Sequence, residues 1–121
     1  MKILVVGLDC AAPEVLFTDD RLVNIRRLMD VGCYGKLESV VPPITIPAWM
    51  CMATSQDPGS LGVYGFRNRT DYSYDALGIT TSRTIKGVTI WDQIAMEGGR
   101  SVLIGVPPSY PPRKVNGISI G

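Results

Sequence analysis

The fold is decided first by the stretch KILVVGLD at residues 2–9. Its apolar run is continuous and rich in β-branched residues, which is typical of a strand buried on both faces within a parallel sheet. Asp9 ends the run, and Pro13 then predicts a turn or the start of a helix. We therefore predict a buried strand over residues 2–8, with a carboxylate following its carboxyl end.

Three helices are predicted in the chain that follows. The first is amphipathic, with apolar side chains at three- and four-residue spacing, and each of the other two follows a threonine that is suited to cap a helix. These helices are predicted over residues 20–31, over 46–54 with Thr45 as the N-cap, and over 90–97 with Thr89 as the N-cap.

Further strands are predicted over residues 34–41, 101–106 and 117–120. Because strands alternate with helices, the order favours an α/β fold with a mainly parallel sheet flanked by helices. Residues 59–85 are rich in Gly, Ser, Thr, Tyr and Asp and show little periodicity. We predict a long loop or small lid there, with one short helix, and loops of this length are usually functional or poorly ordered.

The composition gives no indication of nucleic-acid or membrane binding. The chain of 121 residues suits one domain, carries a net charge of +1, and has no apolar run near the roughly 20 residues of a transmembrane helix. The first apolar run is too short for a signal peptide, which predicts a cytoplasmic protein. Cys10, Cys33 and Cys51 are not at CxxC spacing and are expected to be reduced packing residues.

Two polar residues follow predicted strands, which is where open α/β sheets bind ligands. Asp9 offers oxygen ligands that suit a divalent cation. Thr45 offers a hydroxyl at a helix start, where backbone amides and the helix dipole favour an anion such as phosphate. From position alone a structural role is more frequent for both, as a turn residue for Asp9 and as a cap for Thr45, and a cap can also lie in an anion site.

Several short segments occur in a characteristic order. They are VGLD at 6–9, NIRRLM at 24–29, Gly32, Gly35, residues 41–54, DPG at 57–59 and GVYGF at 62–66. This order resembles the type I phosphodiesterase/nucleotide pyrophosphatase family of the alkaline phosphatase superfamily. The resemblance covers nearly the whole chain and is strongest over residues 42–66, and no sulfatase-type nucleophile motif is present.

The resemblance implies an alkaline-phosphatase-like fold and a site with two metal ions, usually zinc, that hydrolyses phosphodiester or pyrophosphate bonds through a phospho-enzyme. By position, Asp9 resembles a metal ligand and Thr45 resembles the nucleophile, which also contacts a metal. In such a site one ion activates the attacking oxygen and the other stabilises the leaving oxygen. The implied partner is a phosphodiester or nucleotide-like small molecule.

Three positions depart from the family pattern. Ala48 and Leu61 stand where many relatives have Asn and His. Phe66 stands where many have an Asn that contacts a phosphate oxygen, and Asn68 is the nearby candidate for substrate binding. Arg67 and Arg69 could also contact a phosphate, with a solubilising surface role as the competing interpretation.

The remaining metal ligands of the family are aspartates and histidines that lie further along its chains, whereas this chain has no histidine. We therefore expect residues 1–121 to be the incomplete N-terminal part of one phosphodiesterase-like domain. Alone it should be inactive, because a zinc site normally has three or four protein ligands. An incomplete core also predicts self-association. The alternative is a noncatalytic α/β module that kept the fold and lost the metal site, while a Rossmann-like domain is disfavoured by the absence of GxGxxG.

Overall fold

A computed structural model describes residues 1–121, in which the chain divides into two units, residues 1–38 and 39–121. The first unit contains α1 (Pro13–Leu16) and α2 (Val23–Val31). The second contains α3 (Thr45–Thr54), α4 (Pro58–Leu61), β1 (Arg67–Arg69), β2 (Leu77–Ile79), α5 (Ile90–Met96), β3 (Ser101–Ile104) and β4 (Gly117–Ile120). The chain is thus a small mixed α/β protein, and none of its helices has the length and apolarity needed to cross a bilayer.

The first unit has two helices and no buried residue. α2 confirms the helix predicted over residues 20–31, although it begins at Val23. The rings of Phe17 and Tyr34 meet edge-on, with their centroids 5.2 Å apart. Such a pair adds only about 0.5–1.5 kcal/mol beyond its area burial, so it does not replace a core.

The strands predicted over residues 2–8 and 34–41 do not form. The prediction of one mainly parallel sheet is not confirmed, because the structure has two sheets of two strands each, one antiparallel and one parallel. The apolar side chains of residues 3–6 are 70–86% exposed. A strand obtains its ladder hydrogen bonds from a neighbouring strand, and the first unit contains none.

The core of the second unit is built around α3, which confirms the helix predicted over residues 46–54. The core residues are Ile46, Met50, Cys51, Ala53, Leu61, Val63 and Ile85. Burying a side chain such as that of Met50 contributes about 1.5–3 kcal/mol. Ser55 ends the helix in the left-handed conformation, and its amide donates to the Cys51 carbonyl at 2.8 Å. α3 is therefore fixed by its buried face and by a defined C-terminal cap.

Residues 59–85 contain more structure than predicted. α4 provides the expected short helix, and Asp57 caps it by accepting a hydrogen bond from the Ser60 amide at 2.9 Å. β1 and β2 then form an antiparallel hairpin that the sequence did not predict, with Arg67 opposite Ile79. Three-residue strands are too short to show the alternation by which a sequence predicts a strand.

α5 begins with the cap that the sequence predicts. The Thr89 hydroxyl accepts a hydrogen bond from the Asp92 amide at 3.3 Å, and the Thr89 amide donates to Asp92 Oδ2 at 2.9 Å, which together form a capping box. The Thr89 hydroxyl also donates to Asp92 Oδ2 at 2.6 Å. Burial would raise the pKa of Asp92, but the hydrogen bonds from Thr89 and the charge of Arg113 hold that pKa below its ordinary value. The helix is thus stabilised by an ionised carboxylate at its N-terminus.

β3 and β4 pair in parallel and confirm the strands predicted over 101–106 and 117–120, although β3 already ends at Ile104. Gly117 has a φ of +148°, and an added Cβ would collide with the Ser101 carbonyl oxygen, so the start of β4 requires glycine. Val102 lies opposite Ile118 and Ile104 opposite Ile120. These four side chains are each more than half exposed, so one face of this sheet is apolar and open.

Candidate functional site

Thr45 is the first residue of α3 and is half-buried. The N-cap is Ile44, whose backbone is extended (φ −118°, ψ 147°) and whose carbonyl accepts a hydrogen bond from the Ala48 amide at 3.1 Å. The prediction that Thr45 is the N-cap is therefore wrong by one residue. The first helical hydrogen bond starts at the carbonyl of Ile44, so Thr45 belongs to the first turn itself.

The first turn of α3 has the character of an anion site. The first amides of a helix have no acceptor within the helix, and the helix dipole adds partial positive charge there. Pro47 has no N–H, so the backbone donors of this turn belong to the residues before it. No acidic residue lies in the turn to repel an anion.

Burial fixes the position of this turn. Ile46 is 4% exposed, and Pro47 is among the fully buried side chains. Met50, one turn further on, is 2% exposed and belongs to the core. Because the residues directly after Thr45 are held in a packed interior, its side chain projects from a backbone with little freedom to move.

Asp9 lies in the first unit, in an exposed turn. The next residue, Cys10, has a left-handed backbone (φ 57°), which accompanies the change of chain direction after the apolar run. The strand predicted before Asp9 does not form, so the placement of this carboxylate at the end of a strand is not confirmed. Its role as a metal ligand stays a prediction.

The residues of this chain do not assemble a metal site. No group of three or more His, Cys, Asp or Glu side chains is gathered closely enough to hold a metal ion. A structural or catalytic zinc ion needs at least three protein ligands, and the chain has no histidine that could serve as one of these ligands. The implied pair of zinc ions therefore does not fit the donor atoms present in residues 1–121.

The side-chain amide of Asn68 is used within the hairpin region. Its oxygen accepts a hydrogen bond from the Tyr64 amide at 2.7 Å. Its nitrogen donates to the Gly65 carbonyl at 3.1 Å and to the Thr80 hydroxyl. An Asn amide has two N–H donors, so a contact with a substrate phosphate would replace one of these bonds. The observed hydrogen bonds of Asn68 stabilise the fold of the hairpin region. Substrate binding by Asn68 stays a prediction.

The hairpin also creates a cleft that the sequence did not predict. Its volume is about 370 Å³, and its lining residues are Gly62, Tyr64, Arg67, Asn68, Arg69 and Leu77. The sequence placed the arginines and Tyr64 in one loop, but only the pairing of β1 with β2 brings Leu77 next to them. A short hairpin without a turn motif gives no signal that could have predicted this grouping.

The three cysteines are free thiols. Cys51 is the packing residue that the sequence predicts, and burial, followed by the charge of Asp57, raises the pKa of its thiol. Cys10 and Cys33 are exposed, so their prediction as packing residues is wrong. Both lie in the first unit, which has no interior to bury them.

Comparison with known proteins adds a family assignment. The model of the type I phosphodiesterase / nucleotide pyrophosphatase family matches residues 3–119, which is nearly the entire chain. A search of curated proteins and a search of solved structures each gave no significant match. The matched region includes Asp9, Thr45 and Asn68. The chain therefore belongs to the type I phosphodiesterase/nucleotide pyrophosphatase family.

Proposed function

We propose that this chain is the N-terminal part of a metal-dependent phosphodiesterase or nucleotide pyrophosphatase in which Thr45 is the nucleophile. The observation that carries the proposal is the position of Thr45 in the first turn of a core-anchored helix, within the region that matches the family. The substrate would be a phosphodiester or a nucleotide-like small molecule. Cytoplasmic location remains a prediction from the sequence.

The proposed reaction uses the first turn of α3 to bind the substrate phosphate. The amides of Thr45 and Ile46 would donate hydrogen bonds to its oxygens, and the dipole of α3 would stabilise their negative charge. The Thr45 oxygen then forms a bond to phosphorus as the bond from phosphorus to the leaving oxygen breaks. Hydrolysis of the resulting threonine ester releases the product and restores the hydroxyl.

Activation of the hydroxyl is the part of this reaction that residues 1–121 do not supply. A threonine hydroxyl is a weak nucleophile without an adjacent base or a metal ion. The chain has no histidine and no group of metal-ligating side chains. We therefore infer that the activating groups come from polypeptide outside these residues and that residues 1–121 alone hydrolyse no phosphodiester.

The experiment compares two proteins in a chromogenic phosphodiester assay with zinc. We expect no turnover from the 121-residue chain, and turnover from the polypeptide that its complete reading frame encodes. In the longer protein, Thr45→Ala should abolish turnover, whereas Thr54→Ala, at the other end of the same helix, should retain it. Turnover by the 121-residue chain that Thr45→Ala removes would contradict the inferred inactivity.

The alternative function is a noncatalytic α/β module. This alternative is favoured because residues 1–121 contain no group of metal-ligating side chains that would activate the Thr45 hydroxyl. The same assay separates the enzyme from the noncatalytic module, because a module would give no turnover from either protein.

Self-association is proposed for either function, because one face of the β3–β4 sheet is apolar and exposed. This face is formed by Val102, Ile104, Ile118 and Ile120.

A further inference from the structure

The hairpin places two arginines on one side of a strand. Side chains in a strand alternate between its two sides, so Arg67 and Arg69 share one side of β1 and Asn68 lies on the other. The exposure of the three residues agrees, since both arginines are exposed and Asn68 is half-buried. The two guanidinium groups therefore face the same region of solvent.

These arginines line the cleft of about 370 Å³ together with Tyr64. This volume lies in the range of small-molecule sites, roughly 300–1,000 Å³. A second cavity, next to Trp91 and Arg113, has a volume of about 30 Å³. That space holds little more than one water molecule, so of these two cavities the hairpin cleft has room for a ligand.

Neither arginine of the cleft is neutralised by a carboxylate. The ion pairs of the structure join Arg21 to Asp19, Arg26 to Asp20 and Lys36 to Glu14, all in the first unit. Arg69 lies over the ring of Tyr74, with 4.1 Å between its Cζ and the ring centroid. A cation–π contact of this kind orients the guanidinium and leaves its charge in place.

The nearest acidic residue in sequence has another partner. Asp71 accepts a hydrogen bond from the Ser73 amide at 2.7 Å, and hydrogen bonds from Ser73 lower the pKa of this carboxyl. Its carboxylate thus stabilises the turn of the hairpin. The cleft keeps two positive groups whose N–H donors are available to an incoming anion.

The backbone that carries the arginines is held in place from the other side. Asn68 bonds to the Tyr64 amide and the Gly65 carbonyl, and the Thr80 hydroxyl donates to that same carbonyl at 2.8 Å. These bonds connect the segment before β1 to the residue after β2. Hydrogen bonds within the chain therefore hold the cleft in shape, and such preorganisation reduces the entropic cost of binding a ligand.

We propose that this hairpin cleft is a binding site for a phosphate group, with Arg67 and Arg69 as its ligands. A guanidinium donates two parallel hydrogen bonds to a phosphate, and two guanidinium groups provide such a fork on each side of the anion. The Tyr64 ring in the same lining offers a surface for an aromatic base attached to the phosphate. The proposal does not depend on the chemistry of Thr45.

The test is calorimetric titration of the 121-residue chain with inorganic pyrophosphate, inorganic phosphate and adenosine monophosphate. We expect pyrophosphate to bind, and the double variant Arg67→Gln/Arg69→Gln to bind it about tenfold more weakly or worse. The matched control is Arg83→Gln/Arg100→Gln, two exposed arginines elsewhere in the second unit, which should bind as the unchanged chain does.

One further variant interprets the result. Tighter binding of adenosine monophosphate than of phosphate, lost in Tyr64→Leu, would identify a nucleotide as the ligand, and equal binding would identify free phosphate. The proposal is overturned if none of the three probes binds, or if the Arg67/Arg69 and Arg83/Arg100 double variants bind equally well.

Discussion

Replacing Asn68 with Ala should destabilise the second unit. The change removes the acceptor of the Tyr64 amide, at 2.7 Å, and the donors to the Gly65 carbonyl, at 3.1 Å, and to the Thr80 hydroxyl. Three bonds at about 0.5–1.5 kcal/mol each set an upper range of roughly 1.5–4.5 kcal/mol. The Thr80 hydroxyl keeps its bond to Gly65 at 2.8 Å, and Tyr64 is 52% exposed, so water replaces part of the loss. We therefore expect about 1–2 kcal/mol.

Urea unfolding followed by tryptophan fluorescence measures this change directly. Trp49 and Trp91, the two tryptophans of the chain, both pack against the core of the second unit, so their signal reports its unfolding. The matched control is Gln93→Ala, which removes an exposed amide from α5 in the same unit and should change stability by less than about 0.5 kcal/mol. An unfolding midpoint for Asn68→Ala equal to that of the unchanged chain would refute the reasoning.

Three further predictions concern other parts of the second unit. Asp92→Ala should cost about 1 kcal/mol near neutral pH by removing the capping box of α5. Because folding lowers the pKa of Asp92, its contribution is present above the unfolded pKa and is lost as the pH falls through the folded pKa, so urea midpoints of the two proteins should converge in acid. Gly117→Ala should lower the melting temperature of the protein more than Gly98→Ala does. Both glycines have a positive φ, but only at Gly117 would the added Cβ collide with another atom, the Ser101 carbonyl oxygen. Ile104→Lys should reduce self-association in sedimentation velocity, and unchanged sedimentation would count against the exposed sheet face as the contact.

The elements that the sequence predicted well are those with local signals. The helix of residues 45–54 and the Thr89 cap of α5 depend on neighbours within one or two turns, and both form. The strands β3 and β4 were also predicted, but their pairing with each other was not. Helix caps and helix periodicity depend on residues that are close in sequence, which is why these elements could be predicted.

The elements that the sequence predicted poorly depend on distant partners. Residues 2–8 have the pattern of a buried strand, but no neighbouring strand pairs with them, and their side chains are exposed. The hairpin of Arg67–Arg69 with Leu77–Ile79 was missed for the opposite reason, because its strands are brief and its pairing is not signalled by a turn motif. Strand formation is set by pairing across the sheet, which a local pattern does not specify.

The candidate site divides in the same way. Thr45 was recognisable because a family motif surrounds it, and the structure adds that it belongs to the first turn of α3 with buried residues directly after it. A turn at Asp9 was one of the two interpretations of the sequence, but the exposure of this residue could not be predicted, since it depends on whether the apolar run before it finds a partner strand. The hydrogen bonds of Asn68 could not be predicted either, because they depend on the hairpin.

The most direct test of the central claim is to search for a covalent intermediate on Thr45. The polypeptide of the complete reading frame would be mixed with a chromogenic phosphodiester and zinc, quenched in acid within one turnover, digested, and its peptides analysed by mass spectrometry. We predict a phosphoryl ester on Thr45 that is absent from Thr45→Ala and present in Thr54→Ala. Turnover that proceeds with Thr45 unmodified, or that survives Thr45→Ala, would contradict its assignment as the nucleophile.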